Sequence, residues 1–237
     1  MTVSLRVNQF TKFNSYNGET MDKKNIFKKF EIKNKVVKET VEWILCFVIA
    51  YAIYLVISNV FGTVAGIKQS SMYPTCEDGQ KVVISSRRLY NKEINRGDIV
   101  ILQAPSENHP VDSNNVTALY IEHKGLSSFT YNIMNIGKRS YIKRVIAVSG
   151  DHLFISEDGR IYVNDILQEE AYLPKQYTPR TGLYYDLVVP EGQVFVMGDN
   201  RMGSMDSREF GCVPEDKIDG KVICRIWPLN KIGKIDK

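Results

Sequence analysis

One uncharged apolar run near the N-terminus sets the strongest limit on what this chain can fold into. Trp43 to Ile57 contains no charged residue, and with residues 58–61 it extends to roughly the twenty residues that a helix needs to cross a bilayer. The run is apolar on every face rather than striped, which disfavours the alternative of a core helix in a soluble domain. We therefore predict a transmembrane helix over residues 41–61.

Positive charge is concentrated on the N-terminal side of this run. Residues 1–40 contain nine Lys or Arg residues against four Asp or Glu residues, whereas the rest of the chain is close to neutral. Because the cytoplasmic flanks of membrane helices carry the excess of Lys and Arg, we predict a cytoplasmic basic tail over 1–40 and an extracytoplasmic domain over 62–237. The same distribution gives no general nucleic-acid surface, so no nucleic acid is expected as a partner.

A cleaved secretory signal is the alternative reading of the same segment. Thr63-Val64-Ala65 resembles a small-x-Ala cleavage site. However, the charged region before the apolar run would then be about forty residues long, well beyond the usual pattern of a signal peptide. A retained membrane anchor is therefore favoured, and the size of the mature protein on a gel would separate the two.

Short apolar runs separated by turn-prone residues follow the predicted helix. Asp158-Gly159 between two β-branched runs predicts a hairpin over 152–164. Helical patterns are scarce after residue 61, and the polar stretch 104–140 is expected to be a long excursion rather than a separate domain. We predict a mainly β fold, an antiparallel β-rich domain behind an N-terminal transmembrane helix, with further strands at 81–84, 98–102, 193–197 and 221–227.

The cysteines show no metal-binding pattern. Cys46 lies in the apolar run, which leaves Cys76, Cys212 and Cys224 in the β-rich part, without CxxC spacing or a histidine cluster. We expect no metal and no cofactor. One disulfide among the three and buried free thiols both remain open.

Two polar clusters in the β-rich part favour a serine protease that uses lysine as its base. Ser71 precedes a bend at Tyr73-Pro74, and Lys143 lies in an apolar stretch at 141–148. A serine hydroxyl needs an adjacent base, and a desolvated lysine can supply one, whereas the three histidines have no evident serine or acid partner. Strand alternation puts Lys143 and Arg144 on opposite faces, so one can be buried while the other is solvated or paired. Taken alone, Ser71 would more often be a capping or turn hydroxyl, and Lys143-Arg144 would more often be a surface pair on an edge strand.

The order of four motifs resembles that of the bacterial type I signal peptidases, the leader peptidases that remove signal peptides from exported preproteins. The exported part is short, which resembles the compact form found in Gram-positive bacteria. The motifs are Ser71-Met72-Tyr73-Pro74-Thr75, Arg96-Gly97-Asp98-Ile99-Val100, Tyr141-Ile142-Lys143-Arg144 with Gly150-Asp151, and Gly198-Asp199-Asn200-Arg201 through Ser207-Arg208.

This resemblance implies a role for each matching residue. Ser71 is expected to be the nucleophile and Lys143 the general base, with Ser204 holding the lysine amine by a hydrogen bond. Gln69 stands where some relatives carry an oxyanion-stabilising serine, so its amide is one candidate for the second donor and Ser70 is a weaker one. The expected structural ion pairs are Asp199 with Arg144 and Asp206 with Arg208, and the residues expected to line shallow pockets for small side chains are Ile67, Met72 and Ile142.

The resemblance also implies the substrate. Exported preproteins cut after small-x-small, Ala-x-Ala-like sites are expected, and such an extended cleavage region can add as a β-strand beside exposed edges. We expect those edges at 66–69 and 141–143. The lipid bilayer is an expected partner, the secretion machinery is a further candidate, and the location is the cell membrane with a single span.

Two other functions remain as alternatives. A self-cleaving Ser/Lys protease of the kind found in SOS repressors uses a related β-fold, but such proteins carry a DNA-binding domain and no membrane span. A catalytically silent, membrane-anchored β-domain that binds proteins would explain the anchor, but it gives no reason for both Ser71 and Lys143 to be present. Signal-peptide cleavage is therefore favoured.

Overall fold

The computed structural model describes residues 35–61, 63–86, 93–106, 116–125, 127–128, 131 and 137–235. It divides into two units, residues 1–50 and residues 51–237. Most of the basic tail predicted over 1–40 lies outside the described residues, so the three-part division at residues 40 and 61 stays a prediction.

A single long helix, α1, covers Lys35–Phe61. Its Lys35–Ile57 portion is long and apolar enough to cross a membrane, judged by length and composition alone. The helix starts before the predicted residue 41, and two i,i+4 contacts support this first part: Thr40 Oγ1 donates to the carbonyl of Val36 over 2.8 Å, and Lys38 lies 3.9 Å from Glu42 in an ion pair.

The described remainder of the chain is mostly antiparallel β structure, as predicted. A larger sheet of seven strands has the order β1-β2-β11-β3-β4-β9-β10, and a smaller one has the order β7-β6-β5-β8. The strands are β1 (Thr63–Gly66), β2 (Lys81–Ser86), β3 (Ile99–Gln103), β4 (Ser140–Val148), β5 (His152–Ile155), β6 (Ile161–Val163), β7 (Ile166–Leu167), β8 (Asp186–Val188), β9 (Gln193–Met197), β10 (Val213–Pro214) and β11 (Ile218–Trp227). A short helix, α2, spans Ser207–Phe210.

The predicted strands correspond to β2, β3, β9 and β11, and the predicted hairpin is β5–β6. Its turn contains Gly159 at φ 77°, a region that only glycine enters without strain. A Cβ there would also lie 2.4 Å from the ring of Tyr177. Strand β11 begins earlier than predicted, at Ile218, because Gly220 lets its backbone approach Ser85 of β2 closely.

Strand β3 is covered on both faces, which explains its unbroken apolar sequence. Val100 and Leu102 pack into one cluster of the core, and Ile99 and Ile101 pack into another. A strand buried on both sides reads as a continuous apolar run rather than an alternating one. Strand β4 pairs with β3 over its whole N-terminal half, so side chains of β4 enter the same dry surroundings.

All four cysteines are free thiols. Cys76 and Cys212 are buried, Cys224 is half-buried and Cys46 is exposed. Of the two alternatives left open by the sequence, the structure has the free thiols rather than a disulfide.

Candidate active site

Ser71 and Lys143 lie in direct contact although seventy-two positions separate them in the chain. Lys143 Nζ donates a hydrogen bond of 2.9 Å to Ser71 Oγ. Ser71 begins the turn that follows β1, and Lys143 is held opposite Val100 in the pairing of β4 with β3. Ser71 is 8% exposed and Lys143 is 2% exposed, so the hydroxyl and the amine meet away from bulk water.

The surroundings of Lys143 favour its neutral form. Burial lowers the pKa of Lys143 from 10.5 to about 8, and Arg208 acts in the same direction, while Asp206 and Asp199 oppose the shift. The ring of Tyr141, on the same face of the strand, lies 5.2 Å from the amine. With a pKa near 8, about one amine in ten is neutral at pH 7 and can accept a proton.

The predicted ion pair between Arg144 and Asp199 is present beside this contact. Arg144 Nε and Nη2 donate to the two carboxylate oxygens over 2.9 and 2.8 Å, and both side chains are fully buried. The hydroxyl of Thr75 donates to the same carboxylate. Because Thr75 belongs to the turn of Ser71 and Arg144 follows Lys143, Asp199 connects the strand of the amine to the turn of the hydroxyl.

The second predicted ion pair, Asp206 with Arg208, is also present near Lys143. Arg208 Nε and Nη2 donate to Asp206 over 2.8 and 2.9 Å. The carboxylate of Asp206 also accepts the backbone N–H of Gly198 over 3.0 Å and caps the N-terminus of α2. Asp206, the last residue of the turn 198–206, is therefore bonded both to the first residue of this turn and to the start of α2.

This turn is bonded directly to the backbone of Ser71. The N–H of Asn200 donates to the carbonyl of Ser71 over 3.0 Å, and the Asn200 side chain donates to the carbonyl of Ser70 over 3.2 Å. Gly198 packs against the same segment. The position of Ser71 is thus set by the Gly198–Arg201 turn as much as by its own neighbours.

Ser204 does not make the predicted hydrogen bond to Lys143. Its hydroxyl is buried and has no hydrogen-bond partner among the described residues. The amine donates to Ser71 instead, and the Ser204 side chain packs at the Cα of Gly198, where an added Cβ would lie 2.2 Å from its oxygen. Ser204 is near the site, but the expected bond is absent from this arrangement.

Gln69 adopts a backbone conformation that is uncommon for a side chain of its size. It is exposed, with φ 92°, and its backbone N–H donates to Asp78 Oδ1 over 3.0 Å. The bond to Asp78 stabilises the positive φ, which otherwise costs about 1–3 kcal/mol. The use of its side chain as a second oxyanion donor stays a prediction.

The three residues expected to line substrate pockets belong to one apolar cluster. Met72 is fully buried and Ile67 is 4% exposed, whereas Ile142 is half-buried. Met72 therefore lies beneath the surface as part of the core, and Ile142 presents the largest accessible area of the three.

The two predicted peptide-binding edges each lie next to an unpaired side of a strand in the described part of the larger sheet, and their use by a substrate stays a prediction. Strand β1 is the edge strand of the larger sheet, bonded to β2 only. Strand β4 pairs with β3 from Ser140 onward, but β9 ends at Met197, opposite Arg144. The segment 140–143 therefore extends beyond the end of β9 on that side.

Sequence reasoning missed a second buried group of polar residues. Arg201 Nη1 and Nη2 donate to Glu170 over 2.9 and 2.6 Å, and Thr178 accepts from the same guanidinium. The ring of Tyr172 lies 3.8 Å from the guanidinium carbon of Arg144. Glu170, Tyr172 and Thr178 lie in an irregular segment with no recognisable pattern, so one sequence carries no signal that brings them to the site.

Among the described residues, no group of three or more His, Cys, Asp or Glu side chains could hold a metal ion.

A serine hydroxyl in contact with a buried lysine amine, on an antiparallel β domain, defines the serine/lysine class of hydrolases. Residues 40–227 match the family model of the signal peptidases, peptidase family S26. The chain belongs to this family.

Individual relatives agree with the family assignment. The chain is 30% identical over 209 residues to signal peptidase IB of Staphylococcus aureus, covering 82% of this chain and 93% of the relative. It is 32% identical over 167 residues to the chloroplastic thylakoidal processing peptidase 1 of Arabidopsis thaliana, covering 70% and 42%. The crystal structure of a signal peptidase I from Enterococcus faecalis matches 55% of this chain and 97% of that one, at 24% identity and a TM-score of 0.34, an overlap too low for residue-level comparison.

Proposed function

We propose that this protein is a membrane-anchored serine endopeptidase that removes N-terminal signal peptides from exported preproteins after small-x-small, Ala-x-Ala-like sites. The contact of 2.9 Å between Lys143 Nζ and Ser71 Oγ, made by an amine that is 2% exposed, is the observation that carries the proposal. Membership of the signal peptidase family supports the same reaction and substrate class.

The proposed mechanism begins with neutral Lys143. Its amine takes the proton of Ser71 as Oγ attacks the scissile carbonyl, and the resulting ammonium gives this proton to the leaving amine of the mature protein. Lys143, neutral again, then deprotonates a water that attacks the acyl-enzyme carbonyl, and it returns this proton to Ser71 Oγ as the bond to the acyl group breaks. The backbone N–H of Ser71 and the side chain of Gln69 are the proposed donors to the oxyanion.

The proposed substrate lies as an extra strand between β1 and the free side of residues 140–143. Backbone hydrogen bonds would hold the extended cleavage region, and alternate side chains would point toward the surface formed by Ile142 above Ile67. Because these apolar residues are close to the backbone of the site, only small side chains fit at the positions that face them.

We further propose that α1 spans the cell membrane with the N-terminus in the cytoplasm and the catalytic domain outside. The Lys-rich sequence before the helix and the near-neutral sequence after it support this orientation. The lipid bilayer is then a permanent partner, and the secretion machinery that delivers preproteins is a candidate one.

The purified full-length protein, incubated in phospholipid vesicles with a preprotein whose signal ends in Ala-x-Ala, tests this function. Ser71→Ala and Lys143→Ala should each lower the cleavage rate by about a thousandfold or more, because neither partner is reactive without the other. Ser127→Ala is the matched control, since it removes an exposed hydroxyl from a segment that carries none of the proposed site residues and should retain most of the rate. Cleavage at the normal rate by either of the first two variants would refute the mechanism.

A further inference from the structure

Three side chains from the segment between β7 and β8 form a buried polar group, here called the Glu170 bracket and defined as Glu170, Tyr172 and Thr178. The Tyr172 hydroxyl donates to Glu170 Oε1 over 2.6 Å. Both carboxylate oxygens of Glu170 accept from Arg201, and Thr178 accepts from the same guanidinium. Glu170, Thr178 and Arg201 are 7%, 0% and 4% exposed. These contacts are too deeply buried to be incidental surface pairs.

One side of the bracket reaches the Gly198–Arg201 turn, which is hydrogen-bonded to Ser71. Arg201, held by Glu170, donates from Nε to the carbonyl of Gly198 over 3.1 Å. Asn200, which lies two residues after Gly198 in the same turn, donates its N–H to the carbonyl of Ser71 over 3.0 Å. Three hydrogen bonds, between Glu170 and Arg201, between Arg201 and Gly198 and between Asn200 and Ser71, therefore connect the bracket to the backbone of the proposed nucleophile.

The other side reaches the strand that carries Lys143. The Tyr172 ring packs against Arg144, whose guanidinium carbon is 3.8 Å from the ring centre. Arg144 is fully buried between this ring and the carboxylate of Asp199. A cation against an aromatic face is attracted by the ring and shielded from water by it.

We propose that the Glu170 bracket sets the relative position of Ser71 and Lys143. In this proposal Glu170 positions the Ser71 turn through Arg201, and Tyr172 keeps Arg144 dry and paired beside Lys143. Both are positioning residues, since neither touches the reacting atoms. The proposal rests on the proposed function, because it concerns the same serine and lysine.

Loss of the Tyr172 ring should raise the pKa of Lys143. The charged groups that face Lys143 are Asp199, Asp206 and Arg208. Water admitted at the empty ring position would hydrate Arg144 and loosen it from Asp199, which leaves the negative charge of Asp199 less compensated. Asp199 raises the pKa of Lys143, so this change favours the ammonium form and the pH at which activity appears should rise.

The experiment compares two bracket variants with two matched controls, all as the full chain in phospholipid vesicles with the same preprotein. Glu170→Gln keeps the shape and removes the charge opposite Arg201, and Glu169→Gln makes the same chemical change at an exposed neighbour. Tyr172→Leu removes the ring, and Tyr162→Leu removes a half-buried ring of β6 that does not contact the turn. The values of kcat and KM are measured from pH 6 to 10 on folded protein, quantified by circular dichroism.

Glu170→Gln should lower kcat by about tenfold, since small displacements of reacting groups are costly, and leave KM unchanged. Tyr172→Leu should move the acid limb of kcat upward by about half a pH unit, which is about threefold in rate on that limb. Both controls should keep the wild-type kcat and acid limb. A general loss of stability would lower the folded fraction without moving the limb.

The proposal is overturned if folded Tyr172→Leu keeps the wild-type acid limb, or if folded Glu170→Gln keeps the wild-type kcat. If one variant does not fold, the other still decides. Ser71→Ala is run beside them: cleavage by Ser71→Ala would reject the proposed function itself, whereas an inactive Ser71→Ala with normal bracket variants would reject only the positioning role.

Discussion

Gly198 lies so close to the carbonyl oxygen of Ser71 that a Cβ at this position would be 2.4 Å from it. The same Cβ would also lie 2.2 Å from the hydroxyl oxygen of the buried Ser204, so it would clash with backbone on one side and with this side chain on the other. Neither can withdraw without moving the turn, so only glycine allows the turn 198–206 to pack against the serine loop.

Gly198→Ala should therefore lower kcat by about a hundredfold or more, because the added methyl displaces Ser71 from Lys143. Preprotein cleavage by the purified variant measures this. Gly192→Ala is the control. A Cβ at Gly192 would have no atom within 4 Å, so the only cost of this substitution is the backbone strain of alanine at φ 68°. The control should melt at a slightly lower temperature with an unchanged kcat, and an active Gly198→Ala would contradict the packing argument.

The pH dependence of cleavage should follow the ionisation of Lys143. Because its pKa is lowered to about 8 by burial and only the neutral amine accepts a proton, kcat/KM should rise about tenfold per pH unit up to pH 8 and then level off. The measurement is cleavage of one preprotein across pH 6 to 9.5. A profile that is already flat at pH 6.5 would mean that the amine is not the titrating base.

Replacement of Lys143 by methionine should stabilise the fold while abolishing activity. The native pKa of about 8 lies below the unfolded value of 10.5, so at pH 7 the unfolded chain holds its proton more tightly and the lysine destabilises the native state by up to about 3 kcal/mol. This penalty is present in full below pH 8 and disappears as the pH rises to 10.5. Chemical unfolding of Lys143→Met and wild type at pH 7 and pH 10 measures the gain, which should shrink at the higher pH; a loss of stability at pH 7 would contradict it.

Asp199→Asn should destabilise the protein strongly. It leaves Arg144 buried without a negative partner, which costs about 3–5 kcal/mol in comparable pairs. Asp186→Asn is the control, since the contact of Asp186 with His152 is exposed on both sides and is worth less than about 1 kcal/mol. Urea unfolding of both variants compares them, and equal losses would show that burial of the Arg144 pair is not important.

The thiols of Cys76 and Cys212 should be unreactive in the native protein. Both are fully buried, and burial raises the pKa of Cys76 to about 11 and of Cys212 to about 12, so almost no thiolate is present at pH 8. Iodoacetamide labelling followed by mass spectrometry should find both unmodified before denaturation and modified afterwards. Labelling of either in folded protein would contradict their placement in the core.

The fold was predictable where a local pattern dictates the structure. The charge-free run from Trp43 gave a helix, and the turn at Gly159 gave a hairpin because few other residues accept its positive φ. The sheet order was not predictable, because β11 inserts between β2 and β3 although β3 precedes it by more than a hundred residues. Such long-range pairing leaves no local trace in one sequence.

The contact between Ser71 and Lys143 was predicted from the motifs, but the supporting contacts were predicted unevenly. Both carboxylate–arginine pairs are as expected, whereas the Ser204 hydroxyl has no hydrogen-bond partner in the described part of the chain and Met72 is core rather than surface. Arg96 and Asp151, which also belong to the motifs, pair with each other to hold the turn after β4. The motif sequence alone cannot distinguish a residue that supports the turns from one that touches substrate.

The burial of Lys143 has a further consequence under the proposed topology, in which the catalytic domain is itself exported. In the unfolded polypeptide this lysine is an ordinary hydrated cation, and Ser71 is an ordinary alcohol. Hydrolytic power therefore arises only when β4 docks against β3 and the serine loop closes over it. Under that topology, a nascent copy that crosses the membrane is inert toward its neighbours, and toward itself, until folding is complete.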